Sequence, residues 1–217
     1  LLHAYFRIQI EFRFFRGSRM ALWSSPEEAW RGALDSYPSI IDRLSATKAA
    51  KATRKPSPTH TLTALDAFYT SDLPPLATNQ GHLTSDQLSR LTTWKLVRGK
   101  FRPRLQALAD SNTDAAVRAS TARAANAKPA ALMGSAMDAL EELKGVGPAT
   151  ASAILALWHP RAVAFLSDEA MVQVPALGGK REYTRKAVRV FCGELVEKSA
   201  ALNRGAGEVE WTPVLCE

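Results

Sequence analysis

Apolar residues recur three or four positions apart along most of the chain from Met20 onward, which is the helical period. Ser25-Pro26 followed by two glutamates is a typical helix start, because it joins a capping hydroxyl, a first-turn proline and acids at the positive end of the helix. Residues 45–60 and 71–82 have the composition of loops. We predict helices over residues 26–44 (with a break before Pro38 as an alternative), 61–70, 84–97, 114–125, 136–143, 148–158 and 182–202. No strand pattern follows Met20, so the predicted fold class is all-α.

The N-terminal residues follow a different period. From Phe6 to Phe14, every even position is Phe or Ile and every odd position is Arg, Gln or Glu. This strict alternation predicts a strand or an extended arm. An arginine-rich targeting segment and translated sequence upstream of a start at Met20 remain alternatives. We therefore divide the chain into an N-terminal extension (1–19), a helical domain (20–205) and a C-terminal tail (206–217).

Composition and charge narrow the class of protein. Hydrophobic residues make up 46% of the 217 residues, which suffices for a core. The two cysteines, Cys192 and Cys216, exclude within this chain a disulfide scaffold and a four-cysteine zinc or iron–sulfur site, and they fit a reducing intracellular compartment. No metal-ligand spacing occurs, and no apolar run reaches the ~18–20 residues of a membrane helix. The net charge of +7 favours a polyanionic partner.

One segment, LKGVGPATASAILALW at 143–158, predicts two helices joined by a tight glycine turn. Its glycines allow positive φ angles and close approach of a ligand to the backbone, and Pro148 suits the first position of the second helix. Backbone N–H groups at such a helix start can hold a DNA phosphate without reading the base sequence. The predicted donors and their neighbouring cation are Gly145, Gly147, Ala149, Thr150 and Lys144. A helix turn that binds no ligand is the alternative.

These hairpin residues resemble a known signature. L-K-G-V-G-P-A-T-A is similar to the L-P-G-V-G-x-x-T-A motif of the helix-hairpin-helix DNA glycosylase superfamily, with Lys144 where the family usually has proline. The resemblance implies a helical glycosylase-like domain with its hairpin at 136–158. It implies DNA as the partner and no organic cofactor, and it allows a monovalent cation on the hairpin carbonyls. The same hairpin also occurs in many DNA-binding proteins without catalytic activity.

A carboxylate follows at the spacing that the superfamily uses for its catalytic aspartate. Asp168 lies 23 residues after Gly145, in the run AFLSDEA, which is similar to the F-L-P-D-D run of bacterial 3-methyladenine glycosylases. A carboxylate at this position can stabilise the oxocarbenium charge that develops when an N-glycosidic bond breaks, and it can orient the attacking water. The alternative needs no chemistry, since Ser167 is a good N-cap and acids are favoured in the first turn after it.

The type of activity is also suggested by the resemblance. Bifunctional members carry a Schiff-base lysine four residues after the first hairpin glycine, and this position is Ala149. We therefore expect a monofunctional glycosylase, acting on cationic alkylated purines and leaving an uncleaved abasic site.

The stretch WKLVRGKFRPRL, residues 94–105, interleaves basic and aromatic side chains. Cations neutralise phosphates and aromatic rings stack on exposed bases, so we predict nucleic-acid contact here. A helix end with its carbonyls capped by cations is the alternative. The stretch is also similar to a W-K-x-x-R-G-K-x-R-P run in uncharacterised eukaryotic proteins with the same hairpin. The predicted basic patch comprises Lys95, Arg98, Lys100, Arg102 and Arg104, and the candidates for a base pocket are Trp94 and Trp158.

The sequence thus favours an intracellular DNA-binding protein, with the nucleus as the favoured compartment and base-excision activity at Asp168. Two rival functions remain. One is a non-catalytic helix-hairpin-helix module that binds DNA or protein. The other is a helical protein that binds no nucleic acid. A space beside Asp168 large enough for a base favours the enzyme, and a filled core there favours the module.

Overall fold

The computed structural model of the protein describes residues 22–52, 57–99, 102–205, 207 and 209–217. Helices, turns and loops account for these residues, with no strand among them, and the all-α prediction is confirmed. The extension 1–19, with its predicted strand over 6–14, lies outside the described residues. Among the described helices, none is both long and apolar enough to cross a membrane.

Eleven α-helices can be followed through the described residues. They are α1 Glu27–Lys51, α2 Leu62–Ala67, α3 Leu73–Gln80, α4 Ser85–Arg98, α5 Pro103–Asp110, α6 Asp114–Ala125, α7 Met137–Glu141, α8 Pro148–Ala156, α9 Asp168–Met171, α10 Arg185–Leu202 and α11 Pro213–Cys216. Short π-helical turns precede α3 and α7, at Phe68–Asp72 and Leu132–Ala136, and 3₁₀ turns lie at Pro58–His60, Pro129–Ala131 and Pro175–Leu177.

Two proline-containing segments differ from the sequence prediction. Helix α1 runs through Pro38 without ending, and it continues to Lys51, into the segment predicted as a loop. The second predicted loop, 71–82, contains α3 instead. Pro74 and Pro75 fall in the first turn of α3, directly after the π-helical turn Phe68–Asp72, so proline stands near the start of this helix rather than in its interior. Gly81, with φ +68°, ends this helix in the left-handed conformation.

Helix α8 lies at the centre of the core. Every residue from Ala149 to Ala156 is buried, and alanines and serine let neighbouring helices approach closely on all sides. Trp94 on α4 and Phe191 on α10 are among the largest fully buried side chains around it. The second helix of the predicted hairpin is therefore also the central element of the fold.

The C-terminal residues, predicted to be a tail, belong to this body. The Trp211 side chain is 3% exposed, and its indole Nε1 donates to Glu27 Oε1 on α1 at 3.1 Å. Asn203 holds the same residue through two bonds of 2.8 Å with the Trp211 backbone. Helix α11 then packs beside α10. The helical pattern of apolar residues in the sequence ends at Gly205, and nothing after it indicates a buried tryptophan.

Candidate active site

The turn between α7 and α8 packs directly against α5, and Gly145 makes this contact feasible. Its φ of +78° lies in the left-handed region. A Cβ added to Gly145 would lie 2.9 Å from the Ala109 backbone N and 3.0 Å from the Leu105 carbonyl O. A glycine is therefore required here both for backbone conformation and for space. Around Gly147, by contrast, a Cβ would meet nothing within 4 Å.

Asn112 fastens the turn to the end of α5. Its side-chain Oδ1 accepts from the Lys144 backbone N at 2.9 Å, and its Nδ2 donates to the Lys144 carbonyl at 2.9 Å. The two bonds satisfy both backbone groups of Lys144, while its side chain remains exposed. Sequence reasoning missed Asn112, because nothing in the local pattern links residue 112 to residue 144.

The predicted backbone donors of the hairpin do not all remain available. The N–H of Thr150 is bonded to the Gly147 carbonyl at 2.9 Å inside the first turn of α8, which corrects its assignment as a phosphate donor. Within the described part of the chain, the N–H groups of Gly145, Gly147 and Ala149 make no hydrogen bond. Those of Gly147 and Ala149 stand at the positive end of α8, where anions are favoured.

The segment that carries Asp168 is tied to the hairpin by a buried serine. Ser152 Oγ on α8 donates to the Ala149 carbonyl at 3.0 Å and accepts from the Leu166 N–H at 3.0 Å. Ser167 is 1% exposed and caps the short helix α9 by accepting from the Ala170 N–H at 3.2 Å. These bonds fix where Asp168 lies relative to the start of α8.

Asp168 opens α9 as its first residue, as the capping interpretation expected, but its side chain also has a specific partner. The Tyr183 hydroxyl donates to Asp168 Oδ1 at 2.6 Å. Burial and this hydrogen bond together raise the pKa of Tyr183 to about 12, because a phenolate beside a carboxylate is disfavoured. Sequence reasoning left Tyr183 unassigned, and it has no local signal, since the residue lies on the loop before α10.

A cleft of about 240 Å³ joins these parts. It lies between the C-terminal half of α4, the hairpin turn, the start of α8 and the segment around Asp168. Both Asp168 and Tyr183 line it, as do Lys95 and Arg102 from the basic stretch. The other lining residues are Leu96, Arg98, Gly99, Leu105, Gly145, Gly147, Pro148, Ala149, Thr150, Phe165, Leu166 and Glu169. The space beside Asp168 is therefore open and is not filled by core side chains.

The residues of the predicted basic patch lie in different environments. The Arg98 side chain is only 11% exposed and forms an ion pair with Glu217 at 3.2 Å, so its charge is engaged inside the protein. Arg104 is exposed on α5 and does not line the cleft. Lys100 lies outside the described residues. Among the described members of the patch, Lys95, Arg98 and Arg102 border the cleft, and Arg98 is paired with Glu217.

Neither tryptophan proposed for a base pocket borders the cleft. Trp94 is 0% exposed, stacks on Tyr69 with ring centroids 3.7 Å apart, and donates through Nε1 to Asp66 Oδ1 at 2.9 Å. Trp158 is partly buried, and its Nε1 donates to the Ala77 carbonyl at 3.0 Å. Both rings pack in the core, and the aromatic residues that line the cleft are Phe165 and Tyr183.

The hairpin carbonyls are largely used within the protein. Those of Leu143, Lys144 and Gly147 accept hydrogen bonds from Val146, Asn112 and Thr150 respectively. These three carbonyls are therefore already engaged within the protein. In the part of the chain that the structure describes, no group of three or more His, Cys, Asp or Glu residues is arranged to hold a metal ion.

Comparison of the chain with protein-family models, curated proteins and solved structures finds no match. The assignment of function therefore rests on the cleft and on the residues that line it.

Proposed function

We propose that the protein binds DNA through its hairpin and assists hydrolysis of an N-glycosidic bond, with Asp168 as the catalytic carboxylate. The observation that supports this most is the convergence of three features on one cleft. These are the free N–H groups at the start of α8, the two cations Lys95 and Arg102, and the carboxylate of Asp168. The first two suit a phosphodiester backbone, and the third suits a sugar that becomes cationic.

In this proposal the damaged nucleotide leaves the base stack and its sugar lies beside Asp168. As the bond to the base lengthens, positive charge develops on the deoxyribose, and the carboxylate stabilises it. The same carboxylate orients a water molecule toward C1′ and accepts its proton. Because Ala149 supplies no amine at the hairpin, water is the nucleophile in this step.

The size of the cleft favours a small leaving group. At about 240 Å³ it is slightly smaller than the ~300–1,000 Å³ typical of pockets for drug-sized ligands. The Tyr183 hydroxyl is engaged with Asp168 and, with a pKa of about 12, is a poor proton donor to a departing base. Cationic alkylated purines, which leave without such help, are therefore the substrate class that we propose.

The test is a base-release assay on a panel of duplexes with single lesions, comparing the parent with Asp168→Asn. We expect the parent to release an alkylated purine and the variant to be slower by at least about 100-fold, the lower range for loss of a general base. Duplex binding should be retained, because the substitution changes little volume and removes a negative charge that would repel phosphates. Equal rates in the two proteins, or no release from any lesion by the parent, would contradict the proposal.

A second candidate is a non-catalytic DNA-binding hairpin. It is favoured by one observation: Trp94 and Trp158 pack in the core, so the aromatic residues at the cleft are the buried Phe165 and Tyr183, which is hydrogen-bonded to Asp168. This candidate predicts duplex binding that depends on the hairpin, with no base release.

A further inference from the structure

The last turn of α1 carries two lysines, Lys48 and Lys51, that the proposed function does not use. Their segment has the composition of a loop, but the structure continues α1 as far as Lys51. Cations are favoured in the last turn of a helix, because the carbonyl groups there have no helical partner. This effect explains the type of residue, but Lys48 is bonded to a different helix.

Lys48 is held at the edge of the cleft by a contact with α4. Its ammonium Nζ donates to the carbonyl of Gly99, the residue that follows the end of α4, at 3.1 Å. Gly99 is one of the residues that line the cleft beside Asp168. An ammonium group has three N–H donors, and among the described residues Lys48 uses one of them. Two donors are left for an anionic ligand that follows the cleft.

Lys51 adds a second positive charge at the same edge. It lies nearly one turn further along α1 and is exposed. Burial lowers the pKa of Lys48, the Glu169 carboxylate opposes this change, and the charge of Lys51 adds to it. Neither lysine forms an ion pair with a described residue. Two neighbouring cations without a paired carboxylate favour a polyanion that neutralises both.

The hairpin and the end of α1 border different walls of one cleft. The N–H groups of Gly147 and Ala149 lie at the start of α8, whereas Lys48 is bonded at the end of α4. Both of these helix ends line the cleft that holds Asp168. A DNA strand that binds the hairpin and places a sugar beside Asp168 therefore has a second cationic wall within reach.

We propose that the end of α1 is a second phosphate-binding surface, at which Lys48 and Lys51 contact the DNA strand whose nucleotide occupies the cleft. The inference rests on the DNA-binding part of the proposed function and does not depend on catalysis by Asp168. DNA is the partner that the surroundings favour, because the N–H groups and cations on the other walls of the cleft also suit phosphate. Such contacts fix the position of the strand without reading its bases.

The first test measures the affinity for a duplex with one tetrahydrofuran residue as a function of salt concentration. The slope of log affinity against log salt falls by about 0.9 for each phosphate contact that is lost. We expect Lys51→Gln to lower the slope by about this amount, and the double variant with Lys48→Gln to lower it by about twice as much. Lys51→Arg keeps the charge and should keep the slope of the parent.

The matched control is Lys128→Gln, which removes the same charge from an exposed position that does not line the cleft. This variant should bind the duplex with the slope of the parent. An equal fall of the slope in Lys51→Gln and Lys128→Gln would overturn the proposal, because the effect would then reflect net charge and not a contact at α1.

The second test locates the contact on the DNA. Uncharged methylphosphonate links replace the phosphates of the tetrahydrofuran strand one at a time. In the parent we expect two separate positions at which the replacement weakens binding. One of them should become insensitive in Lys51→Gln, and the other should stay sensitive, because the hairpin contacts it.

The outcomes separate this inference from the proposed function. If both positions stay sensitive in Lys51→Gln and its slope equals that of the parent, the role of α1 is overturned and the hairpin remains the DNA-binding surface. If the position lost in Lys51→Gln lies on the opposite strand, the assigned path of the DNA is wrong. If the parent binds no duplex, both the inference and the proposed function are overturned.

Discussion

At the scale of single residues, Asp168 combines two roles that the sequence presented as alternatives. As first residue of α9 it suits the positive end of a short helix, which Ser167 caps. Its side chain also faces the cleft and accepts a hydrogen bond from Tyr183. The capping interpretation and the catalytic interpretation therefore do not exclude each other. The tyrosine provides a direct probe of the carboxylate.

We expect Tyr183 to ionise late, with a pKa of about 12 against its ordinary value of 10.0. Part of this rise comes from the hydrogen bond to Asp168, so Asp168→Asn should lower the pKa of Tyr183, because the phenolate no longer forms beside a negative charge. The measurement is the ultraviolet absorbance of tyrosinate near pH ~11, about one unit above the ordinary tyrosine value.

Tyr183→Phe in each background isolates the signal of this one tyrosine. In the parent background the substitution should remove little tyrosinate absorbance, and in the Asp168→Asn background it should remove more. Equal losses in the two backgrounds would mean that the tyrosine does not sense the carboxylate.

At the scale of elements, the hairpin is positioned by its contact with α5 as much as by its own turn. Gly145 allows the backbone of the turn to approach α5, and Asn112 secures the contact through both backbone groups of Lys144. The two glycines of the motif thus have different structural roles. Gly145 serves the packing of the turn, while Gly147 leaves the start of α8 open.

This difference gives a stability prediction. Gly145→Ala should lower the free energy of unfolding by about 2–4 kcal/mol, since it adds a strained φ angle and a clash with the α5 backbone. Gly147→Ala is the matched control and should change it by no more than about 0.5 kcal/mol, because its φ of −116° is ordinary and the Cβ meets open space. Denaturant unfolding of both variants measures the difference, and equal losses would contradict this account of the turn.

The sequence predicted the elements of the site better than their surroundings. The boundaries of α6 and the start of α8 agree with the local capping and proline signals, because such signals act within one turn. The environments of Trp94 and Arg98 were not predictable from the stretch 94–105. An alternation of basic and aromatic residues does not reveal which side of a helix meets the core, and α4 is buried on the side that carries Trp94. Likewise, Tyr183 meets Asp168 only through the fold.

At the scale of the whole molecule, the C-terminal residues complete the core beside the cleft. Arg98 pairs with Glu217, and the Arg98 guanidinium lies 5.7 Å from the ring centroids of both Trp94 and Phe165. Burial raises the pKa of Glu217, while Arg98 opposes this change. The ion pair therefore replaces the hydration that both groups lose, so the charged form of each side chain is stabilised by the other.

Removal of one partner should be more harmful than removal of both. Arg98→Met or Glu217→Leu alone should cost about 3–5 kcal/mol of unfolding free energy, because each leaves a buried charge unpaired. The double variant should lose much less than the sum of the single losses. Arg104→Met, at an exposed arginine, is the control and should stay within about 0.5 kcal/mol of the parent. Additive losses would show that the two charges do not stabilise each other.

The most direct measurement of the central claim, that Asp168 stabilises a cationic sugar in this cleft, needs no knowledge of the lesion. Two duplexes are compared, one with a cationic pyrrolidine in place of an abasic sugar and one with the neutral tetrahydrofuran analogue. Because analogues of a transition state bind at least ~100-fold more tightly than ground-state ligands, we expect the parent to prefer the cationic duplex clearly. Asp168→Asn should lose that preference and keep its affinity for the neutral duplex. Equal affinity of the parent for both duplexes, or a preference that survives in Asp168→Asn, would contradict the account.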